Sequence, residues 1–277
     1  MEKNYHFIKQ RLENLKTIKP MLMSLRTISL SSWRLSLKRL ENLESYRRDL
    51  TSVAAQVGAL PTAQPNEEKV DSCLIILGST RGLCGGFNRD LLAYFEEHPA
   101  ELEGTTEIIL FGEKMAKLFS RNHIAYQRTI EYPKINRIDF QFIAQLIANL
   151  SCDNKPLRIL YNTYHGSGQY QPSLRLVNWI HNSAPKPAAT GQNLIFDTEP
   201  STISEYLSRQ INLMEIYESL LSSLAAEHSF RFQLMENAIS NTDKLIQELG
   251  LMVQVERQKK ITSEMRELSI SAGLLDR

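Results

Sequence analysis

Apolar residues recur at steps of three and four through the first part of the chain: Ile8, Leu12 and Leu15, then Leu22 and Leu25, then Leu40 and Leu43, and finally Leu50, Val53 and Val57. No glycine interrupts the run from Phe7 to Val57, so the pattern predicts one long amphipathic helix over 1–57. At about 1.5 Å per residue it would extend about 75 Å, whereas a compact domain of this length has a radius of gyration of about 19 Å, so the helix is expected to project from a globule. Pro20 lies inside it. An interior proline removes one backbone donor and crowds the carbonyl four residues back, here that of Lys16, at a cost of about 3 kcal/mol, which predicts a bend or break between Lys16 and Pro20. Gly58, Pro61 and Pro65 mark a linker over 58–68.

Between 69 and 198 the periodicity changes. The runs "VDSCLIIL", "TEIILF", "IAYQRTI" and "PLRILYNTY" read as strands, with a further one in "PSLRLVNWI", and they are separated by helical patterns over Arg89 to Glu97, Lys114 to Arg121 and Asp139 to Leu150. Strand and helix in alternation predict an αβ domain with a mainly parallel sheet. "HNSAPKPAATGQN" reads as an exposed proline-rich loop. After Pro200, "STISE" places Thr202 and Glu205 at capping-box spacing. From there Ile211, Met214, Tyr217, Leu221, Leu224, Phe232, Met235, Ile239, Ile246, Leu249 and Val253 recur at a mean step near 3.5, the seam of a coiled coil over 199–277 about 110 Å long. The expected class is α/β: a long antiparallel coiled coil of N- and C-terminal helices around a Rossmann-like αβ domain.

Charge narrows the range of partners. The chain has 277 residues, with 32 basic against 31 acidic side chains, and so has no net field to hold nucleic acid or an anionic membrane. Cys73, Cys84 and Cys152 lack metal-ligand spacing and are odd in number, which points to a reducing compartment rather than a disulfide framework. The first residues carry charge throughout, unlike a signal peptide, and runs such as "CLIIL" are too short to span a membrane.

The stretch most open to a chemical reading is "LGSTRGLCGGFNRDLL", with four glycines between Gly78 and Gly86. A P-loop needs Lys and a hydroxyl after its last glycine, but Phe87 and Asn88 stand there. The dinucleotide fingerprint needs another spacing. Strand, glycine loop and helix together still leave anion binding open, so a nucleotide-binding enzyme is one alternative. The plainer reading is a tight turn whose glycines allow positive φ and close backbone approach. Cys84 has no histidine partner near it in sequence and reads as a small buried residue rather than a nucleophile. His165 and His228 read as isolated. No cofactor or metal is expected.

Three separated segments resemble the gamma subunit family of F-type ATP synthases: "TRGLCGGFNRDLL", "VERQKKITSEMRELSISAG" and "IKQRLENLKTIKPMLMSLRTISLSSW". "FDTEPSTISEYLSRQ" and "SLAAEHSFRFQLMENAISN" are similar to its long C-terminal helix. The resemblance implies a rotor shaft that couples ion flow through the membrane c-ring to ATP synthesis or hydrolysis, with its paired helices inside a ring of alpha and beta subunits. Its αβ domain would lie by the epsilon subunit and the c-ring, and the catalytic sites would be on beta. The implied location is peripheral, on the cytoplasmic face of the inner membrane. Carried over by position, Arg257, Gln258, Ile261 and Thr262 are the implied contact with the beta catch region. Arg81, Gly82, Cys84, Gly85 and Gly86 form the signature turn, packing near the shaft. Leu268, Ile270 and Leu274 are the apolar tip in an upper bearing. The chain departs from the family at Thr80, where an acidic residue is usual, and at Pro20 and Trp33 in the first helix. These departures point to an alternative ATPase carried beside a main ATP synthase, with proton and sodium both open as coupling ion. They also motivate a second alternative, a coiled-coil adaptor that keeps the shape without driving rotation.

Overall fold

A computed structural model of the chain describes residues 2–57, 71–133, 137–149, 155–177 and 199–271. Helix α1 spans Glu2–Val57. The break expected at Pro20 does not form: α1 is one helix, with Pro20 inside it. The hydroxyl of Ser24 donates back to the carbonyl of Pro20 at 3.0 Å, one turn further on.

Five strands follow the first helix: β1 at Ser72–Leu77, β2 at Thr105–Phe111, β3 at Arg128–Ile130, β4 at Leu157–Gly166 and β5 at Gln169–Val177. Between them lie helices α2 at Phe87–Glu97, α3 at Glu113–Arg121 and α4 at Phe140–Asn149, with a 3₁₀ turn at Pro99–Leu102. The last helix, α5, runs from Pro200 to Ser271. The strand order is β3-β2-β1-β4-β5. β1 to β4 are parallel and β5 pairs antiparallel with β4, a mixed sheet of the expected kind. The third strand is shorter than the run "IAYQRTI". His123, at φ 56, belongs to the turn that ends α3, and Ile124 still donates to Phe119, so pairing begins only at Arg128.

Two compact units divide the chain, 29–231 and the two ends, 1–28 with 232–277. In the first unit the sheet is covered on both faces, as strand alternation dictates. Cys73, Ile75 and Leu77 of β1, with Ile109, Phe111, Leu157 and Ile159, pack into a core with Leu43, Leu50 and Ala54 of α1, Ile143 of α4, and Ile211, Met214, Tyr217, Leu221 and Leu224 of α5. Leu74, Ile76, Leu110 and Leu160 point the other way, toward Phe87 and Leu91 of α2 and Met115 and Phe119 of α3. Val53, expected on the buried stripe, is exposed, and Ala54 takes the inward position.

The second unit is a helix pair. Lys19 meets Asp243 at 2.6 Å and Arg26 meets Glu236 at 3.0 Å. One heptad forward along α1 is therefore one heptad back along α5, which makes the pair antiparallel. Leu12 of α1 and Met235, Ile239 and Leu249 of α5 are buried in this unit.

The capping box at Thr202 and Glu205 is not made. Helix α5 begins with Pro200 in its first turn, and Glu199 supplies the carbonyl that accepts from Thr202 at 3.0 Å and Ile203 at 3.3 Å. The linker, the proline-rich loop and Cys152 lie outside the described residues. Among those described, no helix is long and apolar enough to cross a membrane.

Candidate functional site

In an open αβ sheet, ligands bind at the carboxyl ends of the strands where the strand order reverses. Here that place is the end of β1, and the glycine loop follows it directly. Most of the loop's polar groups are turned inward. Ser79 donates its backbone N–H to Oδ1 of Asn88 at 2.9 Å, and Nδ2 of Asn88 donates to the Ser79 hydroxyl at 2.8 Å. That hydroxyl donates to the Arg81 carbonyl at 3.0 Å and lies 3.3 Å from Sγ of Cys84. Lys114 of α3 donates its N–H to the Ser79 carbonyl at 3.1 Å. The N–H that a phosphate would need at Ser79 is already bonded to Asn88.

Backbone shape fixes the turn. Leu83 and Gly85 adopt left-handed conformations, at φ 62 and φ 55. Gly112, at φ 87, brings β2 against the loop so closely that a Cβ there would fall on the backbone of Ser79. Cys84 is buried, and that burial raises its thiol pKa, as suits a packed thiol rather than a nucleophile.

The crevice itself is occupied by α5. The Ser223 hydroxyl donates to the carbonyl of Leu77, the last residue of β1, at 3.2 Å. The Ser222 hydroxyl accepts from the N–H of Tyr164 in β4 at 3.0 Å. Ala226 packs with Leu74, Ile76 and Cys84. Arg231 reaches the loop directly, Nε donating to the Gly82 carbonyl and Nη2 to the Arg81 carbonyl, each at 3.3 Å. Its guanidinium also pairs with Glu227 one turn back, and both residues are 6% exposed.

His228 is not isolated, as its sequence position implied. Its Nδ1 accepts from Nη1 of Arg231 at 3.2 Å, which fixes the tautomer with the proton on Nε2. Burial lowers the imidazole pKa; Glu227 opposes that shift and Arg231 and Arg81 reinforce it. His165, by contrast, is exposed near the end of β4.

Sequence reasoning missed the Glu227–Arg231 pair. Its signal was an acid and a base four residues apart on a helix, beside the small residues of "SSLAA", which let α5 approach the sheet closely. Outside the loop lies an open hollow of about 270 Å³ lined by Gly82, Leu83, Arg89, Lys114, Lys117 and Arg121. Lys117 is paired with Glu113. Among the described residues there is no cluster of His, Cys, Asp and Glu able to hold a metal ion.

The remaining expected site residues lie on α5. Arg257, Gln258, Ile261 and Thr262 are all exposed. The Thr262 hydroxyl donates back to the Gln258 backbone carbonyl at 2.9 Å. Leu268 and Ile270 are 68% and 52% exposed, and Leu274 lies outside the described residues. Carried on at one-for-one spacing, the antiparallel register brings Glu2 level with Lys260, so the helix continues past the start of its partner.

These features define a class of protein in which the terminal helices pair with one another and the second of them also fills the ligand crevice of an αβ sheet. A family pattern described as ATP synthase matches residues 4–273, and the chain belongs to that family. It is 25% identical over 291 residues to the ATP synthase gamma chain of Bdellovibrio bacteriovorus, covering 97% of each. To the ATP synthase gamma chain of Wolbachia pipientis it is 26% identical over 280 residues, covering 93% of this chain and 94% of the relative. Among solved structures, a chain of the Euglena gracilis mitochondrial ATP synthase OSCP/F1/c-ring assembly superposes with a TM-score of 0.72 at 18% identity, covering 99% of this chain and 95% of that one. A chain of the rotor of the same enzyme gives 0.68 at 16%, covering 94% and 100%. At those identities the structural likeness speaks for the fold.

Proposed function

We propose that the chain is the central-stalk rotor subunit of an F-type ATP synthase, coupling ion flow through a membrane ring to ATP synthesis or hydrolysis in an alpha/beta hexamer without a reaction site of its own. The observation that carries this reading is the filled crevice: the place where the αβ sheet would take a nucleotide is occupied by Ser222, Ser223, Ala226 and Arg231 of α5. Family membership and whole-length similarity to gamma chains support it. The rotor's task is to present different faces to three catalytic subunits in turn, so that each passes through conformations of different nucleotide affinity.

Arg257 and Gln258 contact the catch region of beta in this reading, with Arg257 offering a planar fork to a carboxylate and Ile261 and Thr262 completing the surface. The exposed Leu268 and Ile270 form the apolar tip turning in the upper bearing. The αβ domain contacts epsilon and the ring, and the complex holds the chain at the cytoplasmic face of the membrane, with no membrane-spanning helix among the described residues. The test is co-expression with the alpha and beta subunits of an F-type ATP synthase from the same organism, followed by ATPase assay with and without this chain. One copy per hexamer and hydrolysis that depends on the chain are expected; an active hexamer that neither binds nor responds to it would overturn the reading.

A further inference from the structure

The apolar core between α5 and the sheet resists separation, but hydrophobic contact is non-directional and does little to fix a helix against sliding or turning on the surface it covers. Direction comes from the polar contacts at the crevice, where Ser222 and Ser223 make one each and Arg231 makes two. Arg231 addresses two successive carbonyls of the loop, Gly82 through Nε and Arg81 through Nη2, while Glu227 and Nδ1 of His228 hold the other positions of the guanidinium. The loop it grips is stiff, with Leu83 and Gly85 left-handed and Ser79 tied to Asn88 of α2. A buried ion pair is weak evidence for stability, because desolvating both charges offsets much of their attraction. A fork held at fixed angles does define geometry.

We infer that Arg231, oriented by Glu227, is a positioning residue that locks the loop after β1 onto α5, so that the αβ domain and the shaft helix turn together under load. The inference rests on the rotor reading above. When the lock is lost, the apolar core still holds the domain on the helix, so the complex assembles and hydrolyses ATP, but part of each rotation is taken up as slip between helix and domain. The deficit therefore appears in transport rather than in hydrolysis.

The experiment uses the whole complex, reconstituted into vesicles, with ATP hydrolysis and ATP-driven uptake of the coupling ion measured on the same preparation. Arg231→Ala is expected to lower the ions moved per ATP by about threefold or more, with hydrolysis within about twofold of the unsubstituted complex. Arg231→Lys, which keeps the charge beside Glu227 but offers one point of donation instead of a fork, is expected to fall between the two. An unchanged ratio in Arg231→Ala, or hydrolysis and uptake falling in the same proportion, overturns the inference. Should Arg231→Ala fail to assemble, Glu227→Gln is read on the same ratio; it keeps the fork but loosens its orientation, and an unchanged ratio there also overturns the inference. Failure of the rotor reading would show separately, as an unsubstituted chain that does not co-purify or does not support hydrolysis.

Discussion

Ser223 of α5 and Leu77 of β1 meet at the carboxyl end of the sheet, the serine hydroxyl donating to the leucine carbonyl at 3.2 Å with both residues buried. Replacing Ser223 by alanine leaves that carbonyl without this donor, a loss of about 1 kcal/mol. Chemical denaturation of the isolated chain should show a lower midpoint with an unchanged slope. An unmoved midpoint would mean that another donor takes over.

Gly112 is required by shape. At φ 87, with the Ser79 backbone where a Cβ would stand, Gly112→Ala combines left-handed strain of about 1 to 2 kcal/mol with a steric clash. The chain should lose at least about 2 kcal/mol, or fail to accumulate in soluble form. Thermal unfolding at the unsubstituted temperature would contradict the close approach of β2 and the loop.

Pro20 makes the opposite prediction. It sits in the interior of an unbroken helix with no N–H to give the Lys16 carbonyl. Pro20→Ala should stabilise the chain by about 1 to 2 kcal/mol, less than the full helical penalty because proline also restrains the unfolded chain. A melting temperature that stays level or drops would show that the proline is accommodated at no cost.

Histidine 228 ties stability to pH. Burial puts its folded pKa below the ordinary value of 6.5. Between that value and the lowered one, the unfolded chain binds a proton that the folded chain refuses, so stability rises with pH in this window and is lost as pH falls through it. His228→Gln should flatten the acid side of a plot of urea midpoint against pH while leaving the values at pH 7 and above close to the original. Parallel curves for the two chains would remove His228 as the cause.

Replacing Arg257 and Gln258 together by alanine should reduce ATP hydrolysis by the assembled complex about tenfold, the equivalent of one charge-assisted contact of about 1.4 kcal/mol. Assembly should survive, since both residues are exposed on α5. Full turnover in the double variant would detach them from the proposed contact.

The helices and three of the five strands were legible because their signals are periodic and local. The steps of three and four along α1 and α5, and the alternation that sends Cys73, Ile75 and Leu77 to one core and Leu74 and Ile76 to the other, depend only on the backbone repeat. No break forms at Pro20, because propensity weighs one residue while packing acts on the whole helix. The third strand was overextended because its pairing starts only where the turn after α3 ends. The candidate site was half legible. Glycine spacing argued against a phosphate loop, but the occupant of the crevice came from a segment 146 to 150 residues away. A charged pair such as Glu227 and Arg231 ordinarily reads as a solvated helix face, and only the tertiary fold buries it.

One unit of the fold joins 1–28 to 232–277, segments far apart in the order of synthesis. Roughly two hundred residues must be translated between them, which at typical speeds of synthesis takes on the order of 10 to 40 s. For that time Leu12 and the apolar stripe around it have no mate, and the nascent chain displays a sticky amphipathic helix to whatever is nearby. The first of the two paired segments to leave the ribosome thus waits for the second before it finds its place. A message cut short anywhere before the final helix yields a product that exposes this surface for good, a natural mark for chaperones and proteases to read.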